Sequence, residues 1–465
     1  MASTYRYYDM GTPTLRTKFT YSVWVKRSGL GAIGTIASMW ADGNNHVVLR
    51  FNSDDTLVFY DYSSSSMITE VKTNAVFRDT FAWYHIVVAF DSTQGTAADR
   101  TKLYVNGVQQ TSLATATYGA QNNTPSSNVS GTDHYLGARG DGANYDGLMS
   151  HAHFIDGLAY PASTFGSTDS TTGSWKINTG PSVTYGTNGF FMFKDNASLN
   201  DQSGNSNNFT AQSGTLTKTE DNPSNVFCTI SPLDNMNASN TSIPGKLENG
   251  NLSFINNDSN QIYTRGSIGV KSGKWYWEAK QGSGTAWAIG ICVEAMLTQT
   301  NNQFWDTTTV TGVAANGSGN TLYINGGSGD SWNTSISVGA SSIYGFALDV
   351  DNRAFYIHHN GTYLTANGNV GNPTSGGSRT GSVLGQLTTR GGTGGLNYIP
   401  VGEYIYPFMG DLSTSNSTNL QMNFGNGFFA TTAISSEGTN ASGLGKFEYD
   451  VPAGYTALCT KGLNL

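Results

Sequence analysis

Short segments in which bulky apolar residues recur at every second position dominate the sequence. Residues 19–25 alternate large and small side chains, and residues 83–90 form a β-branched and aromatic run. Both patterns are typical of β-strands. No long stretch carries the apolar stripe of an amphipathic helix. The pattern therefore predicts an all-β protein.

Asn-Gly pairs follow three of these predicted strands. Such pairs favour the type I′ turn of a tight hairpin, because both central residues of that turn need a positive φ. The three pairs are Asn106-Gly107, Asn325-Gly326 and Asn360-Gly361. Short strands joined by turns rich in Gly, Asn and Ser predict two antiparallel, jelly-roll-like β-sandwich domains.

Turn-forming residues accumulate between about 205 and 250, and patterned strands resume near residue 266. We predict one sandwich over residues 1–215, a linker over residues 216–250 and a second sandwich over residues 251–465. Residues 366–402 consist almost entirely of Gly, Ser, Thr and Asn. Because such long loops are uncommon inside a compact domain, this stretch is disordered, ordered by a neighbouring subunit, or a functional insertion.

The composition and net charge of the chain argue against two classes of partner, nucleic acids and membranes. Charged residues make up 12% of the 465 residues, against a usual share of about 25%, and the net charge is −8. Without a basic face the chain is unsuited to phosphate backbones, so nucleic acid is not an expected partner. No apolar run approaches the roughly 20 residues that span a bilayer, so membrane insertion is not expected either.

The cysteines and the first residues indicate where the chain is made. Cys228, Cys292 and Cys459 are odd in number and far apart, which fits neither a disulfide framework nor a metal-binding pair. The first residues carry no apolar segment of the kind found in secretory signal peptides. We expect synthesis in a reducing cytoplasm.

Several segments resemble known domains in both sequence and order. Residues 19–24, 83–91, 103–109 and 135–155 resemble the strand and hairpin segments of laminin-G/concanavalin-A-like lectin domains. In the C-terminal half, the segment Gly-Lys-Trp-Tyr-Trp-Glu that ends at Glu278 is similar to a SPRY (B30.2-like) domain. Matching SPRY segments follow at residues 288–291, 344–349, 355–361, 406–408 and 420–425. The resemblance implies a concanavalin-like sandwich followed by a SPRY-like sandwich.

A second resemblance concerns the segments between these domains. Residues 154–166, 184–191, 201–209 and 221–234 are similar to a block and linker found in tail-fibre and other virion proteins of bacteriophages. This resemblance implies a protein on the virion exterior, made in the cytoplasm of the host bacterium. It also implies other virion proteins and host cell-surface polysaccharide as partners, and assembly as a homo-oligomer, most simply a trimer.

Catalytic chemistry is not predicted. The glucanase relatives of this fold carry paired carboxylates as Glu-x-Asp-x-(x-)Glu on one strand face, and retaining and inverting glycosidases both need such a pair. Residues 1–200 contain a single glutamate, Glu70. The adjacent acids Asp54 and Asp55 lie where a turn is expected, and Glu278 is expected to point outward from its strand. We therefore predict that the protein is not an enzyme.

Metal binding has two weak candidates. His151 and His153 are two residues apart and would share one face of a strand. Laminin-G-like domains often bind calcium through loop oxygens, and the resemblance makes Asp141, Asn144 and Asp146 the corresponding candidates. The alternative for these three residues is an ordinary Asx-rich turn. No metal is asserted, and calcium is the one cofactor kept open.

Glycan binding would need an aromatic ring beside planar polar side chains. In the first domain, Trp40, Asp42 and Asn44 meet this description within one predicted turn. In the second, Trp305 and Trp332 lie in charge-poor loops. The alternative for each tryptophan is packing against a neighbouring strand or subunit.

These observations lead to one main functional hypothesis and several rivals. The main hypothesis is a tail-fibre or receptor-binding subunit of a tailed bacteriophage that recognises host cell-surface glycans. The first rival is a head fibre or capsid-decoration protein. The lesser rivals are a depolymerase that cleaves surface polysaccharide, and a bacterial adhesin or prophage remnant.

Overall fold

Strands and turns account for nearly all of the regular structure, which confirms the predicted all-β class. The structure is a computed structural model. It describes residues 5–126, 128–194, 198–214, 216–232, 236–237, 246–256, 262–284, 286–294, 310–315, 322–324, 339–366, 369–384, 402–411 and 417–464. The chain divides into two compact units, Met1–Lys218 with Asn222–Ser224 and Thr219–Asp221 with Asn225–Leu465.

In the described part of the first unit, sixteen strands form two large antiparallel sheets and one hairpin. The larger sheet has the order β10-β6-β5-β4-β3-β11-β1-β16, the smaller one β15-β12-β2-β7-β8-β9, and β13 pairs with β14. Short 3-10 helices span Ala97–Asp99 and Ala162–Thr164. The strands are β1 (Tyr5–Asp9), β2 (Lys18–Arg27), β3 (Gly34–Asp42), β4 (Asn45–Phe51), β5 (Thr56–Ser63), β6 (Ser66–Val76), β7 (Trp83–Asp91), β8 (Thr101–Val105), β9 (Val108–Gln109), β10 (Leu113–Thr117), β11 (Asp133–Leu136), β12 (Gly147–Asp156), β13 (Gly166–Thr168), β14 (Trp175–Ile177), β15 (Phe190–Met192) and β16 (Thr210–Ser213).

The hydrophobic core of the first unit lies between its two large sheets. Phe19 on β2 stacks on Phe90 of β7 with ring centroids 4.7 Å apart, and it also contacts Phe59 of the facing sheet. Strands β2 and β7 are buried on both faces, because residues 157–188 cover the side turned away from the core. This second cover explains why residues 83–90 read as a continuous apolar run.

A buried histidine forms a hydrogen bond that holds residues 157–188 against the smaller sheet. The indole Nε1 of Trp175 donates to Nδ1 of His85 over 3.0 Å, so Nδ1 carries no proton. The remaining ring nitrogen, Nε2, then donates to Oγ of Ser22 over 2.9 Å. Burial lowers the pKa of His85 to about 3. The imidazole is therefore held neutral, in one tautomer, by the fold itself.

The segment at residues 201–209 holds the loops that lead into β15 and β16 in place through hydrogen bonds. Asp201 accepts hydrogen bonds from the backbone N–H of Phe191 at 2.8 Å and from that of Asn207 at 3.0 Å. The amide of Asn205 donates to the carbonyls of Gly186 and Gly189. These polar side chains are bound to the protein backbone, so the motif has a structural role here.

In the described part of the second unit, eighteen strands form two large sheets and two short hairpins. One sheet has the order β17-β20-β30-β22-β23-β24 and the other β18-β19-β31-β21-β25-β26-β27, with β34 added parallel to β21. Short 3-10 helices span Pro373–Ser378 and Gly462–Asn464. The strands are β17 (Met236–Asn237), β18 (Lys246–Glu248), β19 (Ser253–Asn256), β20 (Ile262–Arg265), β21 (Lys274–Ser283), β22 (Trp287–Val293), β23 (Val310–Ala315), β24 (Leu322–Ile324), β25 (Ile343–Asp349), β26 (Ala354–His359), β27 (Thr362–Tyr363), β28 (Thr365–Ala366), β29 (Asn369–Val370), β30 (Ile405–Asp411), β31 (Thr418–Asn423), β32 (Phe428–Phe429), β33 (Thr432–Ala433) and β34 (Thr456–Ala457).

Two of the three predicted Asn-Gly hairpins are confirmed. Asn106 and Gly107 have φ of 47° and 79° between β8 and β9. Asn360 and Gly361 have φ of 48° and 83° between β26 and β27. Both pairs lie in the left-handed region that the type I′ turn requires. Asn325-Gly326 lies outside the described residues.

The prediction that Glu278 points to solvent is wrong. Glu278 faces away from the core between the sheets, but the C-terminal segment covers it and leaves its side chain fully buried. Its carboxylate accepts the backbone N–H groups of Glu448 and Tyr449, each at 2.9 Å. Burial raises the pKa of Glu278 to about 7. The strand pattern could not reveal a cover supplied from residues so distant in sequence.

A hydrogen-bonded chain links Glu278 to a second buried histidine. Nδ1 of His358 accepts the N–H of Gly361, so Nε2 carries the proton and donates to the hydroxyl of Tyr276 over 2.7 Å. That hydroxyl donates to Glu278 over 3.1 Å. Gly345 pairs with both Glu278 and His358 on the neighbouring strands. A Cβ at Gly345 would lie 1.8 Å from Nε2 of His358, so the cluster requires glycine there.

Within the described residues, no helix is long and apolar enough to cross a membrane.

Candidate functional site

The face of the larger sheet that is turned away from the core of the first unit carries a regular array of aromatic and charged residues. Inner-face residues of β4 and β5 such as Leu49 and Phe59 belong to the core, so their sequence neighbours point outward. Across β4, β5 and β6, Arg50 pairs with Val58 and Val58 with Lys72. The next outward-facing row holds Val48, Tyr60 and Glu70, and the one after it His46, Tyr62 and Met67.

These rows form an open depression of about 590 Å³, which we call the outer-face cleft. Its lining consists of Ile33, Gly43, His46, Arg50, Asn52, Ser53, Asp54, Val58, Tyr60, Tyr62, Met67, Glu70, Lys72 and Arg139. Rings at the floor and polar groups at the sides are two elements that ligand-binding sites combine.

The aromatic floor is built from direct cross-strand pairs. The ring of His46 stacks on Trp40 of β3 with centroids 4.5 Å apart, and on Tyr62 of β5 at 5.2 Å. The ring of Tyr60 meets His46 edge to face at 5.7 Å. Nδ1 of His46 lies 3.2 Å from the backbone carbonyl of Asp42, and because a carbonyl can only accept, Nδ1 is the protonated nitrogen. Burial lowers the pKa of His46, so the ring is neutral at neutral pH.

Charged side chains form the sides of the cleft. The Nζ of Lys72 binds the carboxylate of Asp54 at 2.8 Å, and the Lys72 hydrogen bond holds the pKa of that carboxyl well below its usual range. Arg139 forms a two-pronged ion pair with Asp141 and also donates to the hydroxyl of Tyr60. Arg50 lies over the ring of Tyr60, with its guanidinium carbon 5.2 Å from the ring centroid.

A buried ion pair holds one edge of the cleft in place. Asp55 binds Arg27 through Oδ1 and Arg78 through Oδ2, each at 2.9 Å. Its Oδ1 also accepts the backbone N–H of Gly31 at 3.0 Å, which ties down the loop that carries Ile33. Sequence analysis placed Asp55 in a turn beside Asp54. The structure retains the turn but gives Asp55 a buried structural role.

The predicted glycan-binding residues of the first domain lie beside the cleft rather than in its lining. Trp40 is half-buried, and its ring packs against His46 and the guanidinium of Arg139, whose carbon is 5.5 Å from the ring centroid. Asp42 accepts the backbone N–H of Asn44 at 2.7 Å, and both residues are exposed in the β3–β4 turn. Their role in binding stays a prediction. Trp305 and Trp332 lie outside the described residues.

Sequence reasoning missed Arg50, Tyr60 and Tyr62. The sequence did contain a pattern that could have identified them. Along their strands these three residues, like His46 and Val58, occupy every second position, and the positions between them are core residues. The pairing of β4 with β5 decides which residues meet, and that pairing cannot be derived from single strands.

The calcium candidates are distributed over the loop between β11 and β12. Asp141 is bound to Arg139, and the backbone carbonyl of Asp146 accepts the N–H of Ser28 at 3.1 Å. Asn144, which lies between these two residues in the sequence, is half-buried. In the described ranges, no three His, Cys, Asp or Glu side chains form a group that could hold a metal ion. Calcium binding at this loop stays a prediction.

The two candidate metal-binding histidines do not share an exposed face. A register shift between Ser150 and His153 creates a bulge in β12, and His151 adopts a φ of 47° there. His153 is buried, stacks on Phe191 with centroids 3.9 Å apart and is hydrogen-bonded to the hydroxyl of Tyr185. The ring of His151 also contacts Phe191, with centroids 5.6 Å apart, so the two histidines lie on one face, as the strand spacing predicts, but that face is buried.

Three solved structures show partial similarity to this chain. The chain is similar to a native heptameric SAP-like pentraxin from Limulus polyphemus, with 17% identity over 38% of this chain and 87% of that one and a TM-score of 0.28. It is similar to the SPRY domain of human HERC1, with 12% identity, 42% and 96% coverage and a TM-score of 0.26. It is also similar to domain 4 of AbnA, a GH43 extracellular arabinanase from Geobacillus stearothermophilus solved in complex with arabinotriose, with 19% identity, 31% and 64% coverage and a TM-score of 0.25.

No curated protein matches the chain. Residues 3–163 match the family Laminin_G_3, described as the concanavalin A-like lectin/glucanases superfamily. This range contains every residue of the outer-face cleft. Most of the first unit is therefore similar to concanavalin A-like lectin/glucanase domains.

Proposed function

We propose that the protein is a non-enzymatic carbohydrate-binding protein and that the saccharide lies in the outer-face cleft. The observation that carries the proposal is the arrangement of Tyr62 and His46 at the cleft floor with Arg50 and Glu70 at its sides. Pyranose rings present apolar C–H faces and polar hydroxyl edges, so a floor of rings with planar polar groups beside it matches both. The match of this segment to a lectin/glucanase family supports the same ligand class.

The carboxylate of Asp54 favours binding over hydrolysis. A glycosidase needs a general acid whose pKa is raised toward neutrality. Asp54 is in the opposite situation, because Lys72 and Thr56 hold its carboxyl in the ionised form. The proposal therefore assigns no catalytic residue. Shortening of a bound polysaccharide by the purified protein would contradict this part of the proposal.

At a finer level, we propose a receptor-binding subunit of a tailed bacteriophage that attaches to host cell-surface glycans. The similarity of residues 154–166, 184–191, 201–209 and 221–234 to phage virion proteins supports this role. It also supports a position on the virion exterior and assembly with other virion proteins as a homotrimer. Several copies acting together would strengthen weak glycan binding. Antibody labelling of virions is expected to mark the tail. Labelling of the capsid would instead indicate a head fibre or a capsid-decoration protein.

The cleft is tested by removing one ring from its floor. We expect Tyr62→Ala to weaken saccharide binding by at least about tenfold, equivalent to about 1.4 kcal/mol, because the variant loses a stacking surface. A glycan array screened with the full chain supplies the ligand, and titration calorimetry gives the affinities.

Tyr7→Ala is the matched control for this test. Tyr7 is a half-buried tyrosine on the outward face of the same sheet, but on β1, separated from β5 by β4, β3 and β11. We expect its removal to leave the affinity unchanged. Equal losses in the two variants would mean that the saccharide does not occupy the outer-face cleft.

A further inference from the structure

The outer-face cleft holds both positive and negative side chains, of which some form ion pairs with each other and others do not. The cations Arg50, Lys72 and Arg139 stand against the carboxylates of Asp54 and Glu70 in the lining. Asp141, bound to Arg139, adds a third carboxylate at the edge. These six groups therefore carry no net charge, and His46 is neutral as well. Asp42, exposed in the adjoining β3–β4 turn, adds one negative charge beside the site.

Four of these six charged groups are already paired. Lys72 is bound to Asp54 at 2.8 Å, and Arg139 is bound to Asp141 through two hydrogen bonds. Ion pairs of this kind satisfy their own charges and offer little net attraction to a charged ligand.

The remaining two charged groups, Arg50 and Glu70, have hydrogen-bonding capacity to spare. Arg50 uses Nε to donate to Asn52 over 2.9 Å, which fixes the guanidinium above Tyr60. Among the described residues, its Nη1 and Nη2 donate to no acceptor. The carboxylate of Glu70 likewise accepts no hydrogen bond from the described part of the chain. A donor group and an acceptor group thus face the cleft without partners among the residues that the structure describes.

The sheet places these two groups on opposite sides of Tyr60. Arg50 lies on β4 and Glu70 on β6, with β5 between them, and they are one row apart in the array. Two inter-strand spacings of roughly 4.8 Å and one two-residue step put their backbones on the order of 11 Å apart. This separation is of the size of a disaccharide, which would span both groups while resting on the rings between them.

We propose that the cleft selects neutral saccharides and that Arg50 and Glu70 are its specificity-determining pair. This inference rests on the proposed carbohydrate-binding function. A sugar hydroxyl both accepts and donates, so one part of the ligand accepts from Arg50 and another donates to Glu70. A saccharide that carries a carboxylate or sulfate would be attracted by Arg50 but repelled by Glu70, and the paired cations could not respond without breaking their own contacts.

Salt dependence distinguishes a neutral from an acidic ligand. The wild-type chain is titrated with neutral oligosaccharides of glucose, galactose and mannose, and with uronate, sialylated and sulfated oligosaccharides, at low and high sodium chloride. We expect binding to neutral members, with an affinity that changes by less than about twofold between the two salt concentrations. Selective binding of acidic members that is lost at high salt would overturn the inference and leave the proposed function standing.

The sign of the Glu70→Gln effect gives a second, independent readout. For a neutral ligand, we expect Glu70→Gln and Arg50→Gln each to weaken binding by about tenfold, since each removes a charge-assisted hydrogen bond. For an acidic ligand, Glu70→Gln would strengthen binding because it removes a repulsive charge. Lys102→Gln, a charge change on β8 in the other sheet, is the control and should leave the affinity unchanged.

Unchanged melting temperatures identify the variants that remain folded, and both substituted side chains are only partly buried. Strengthened binding by Glu70→Gln, or no effect of either variant, overturns the inference. If no saccharide of either class binds, the proposed function itself fails. The two failures are therefore distinguishable.

Discussion

Lowering the pH from 7 to 5 is expected to destabilise the first unit by about 4 kcal/mol while leaving the second unit nearly unchanged. Three histidines of the first unit, His85, His134 and His153, are buried as neutral rings, and burial holds the pKa of each far below 6.5. The unfolded chain therefore binds more protons than the folded one below pH 6.5. Stability is fully present above that pH and is lost as the pH falls, by about 2 kcal/mol per histidine at pH 5.

Asp61 offsets part of this loss. Its carboxyl is buried in the first unit, and burial raises its pKa to about 6 from 3.8. The folded state then binds the proton more tightly, so acidification through pH 6 adds about 1 kcal/mol of stability at pH 5. The net loss for the first unit remains several kcal/mol, which is a large share of the 5–15 kcal/mol typical of a folded domain.

In the second unit two buried groups act in opposite directions. His358 has a pKa lowered to about 3 by burial and loses about 2 kcal/mol at pH 5. Glu278 has a pKa raised to about 7, so the folded state gains about 2 kcal/mol between pH 7 and pH 5. The two contributions cancel to within the precision of such figures.

Calorimetry of the full chain between pH 8 and pH 5 measures this difference. We expect two unfolding transitions that move apart, with the transition of the first unit shifting to lower temperature. His134→Phe is the diagnostic variant, because both ring nitrogens of His134 are buried among aromatic rings and have no hydrogen-bond partner in the described part of the chain. It should stabilise the first unit at neutral pH and reduce its acid sensitivity. Equal acid sensitivity of the two transitions would contradict the assignment.

Removing the carboxylate of Asp55 is the second large effect that we expect. Asp55→Ala should destabilise the first unit by about 3–5 kcal/mol, because it leaves the buried guanidinium of Arg27 without its counter-charge. Both side chains of this pair are less than a tenth exposed, at 3% for Arg27 and 7% for Asp55. Asp55 also has a φ of 64°, which is unfavourable for alanine and adds to the loss.

The neighbouring acid provides a matched control for this prediction. Asp54 is half exposed, and its ion pair with Lys72 is a surface contact. Asp54→Ala is expected to cost no more than about 1 kcal/mol. Urea denaturation of the two variants compares two adjacent carboxylates in one turn. Similar free energies of unfolding would show that the Arg27–Asp55 pair does not stabilise the fold as described.

Local patterns were sufficient to predict the strands, the described hairpins and the all-β class. Asn106-Gly107 and Asn360-Gly361 specify their turns through φ alone, and that requirement is visible in two residues. The alternation of large and small side chains over residues 19–25 likewise indicates a single strand with its large side chains on one face. Such features depend on neighbours in the chain, so single-sequence reasoning reaches them.

Features that depend on which strands pair, or on burial by a segment distant in sequence, were not predictable. Tyr62 meets His46 because β5 pairs with β4 in one register, and a shift of one residue would turn both rings inward. Glu278 is buried because Glu448 and Tyr449 return to it from 170 residues away. Trp40, Asp42 and Asn44, predicted from the sequence, lie at the edge of the cleft because the β3–β4 turn adjoins it. The floor of the cleft comes from strands whose partners the sequence does not reveal.

A crystal structure of the full chain soaked with the tightest-binding oligosaccharide from the array tests the central proposal most directly. The account predicts sugar density in the outer-face cleft, with one pyranose ring against Tyr62 and His46 and hydroxyl groups within hydrogen-bond distance of Arg50 and Glu70. Sugar density at another surface of the first unit, or on the second unit, with an empty cleft would contradict it.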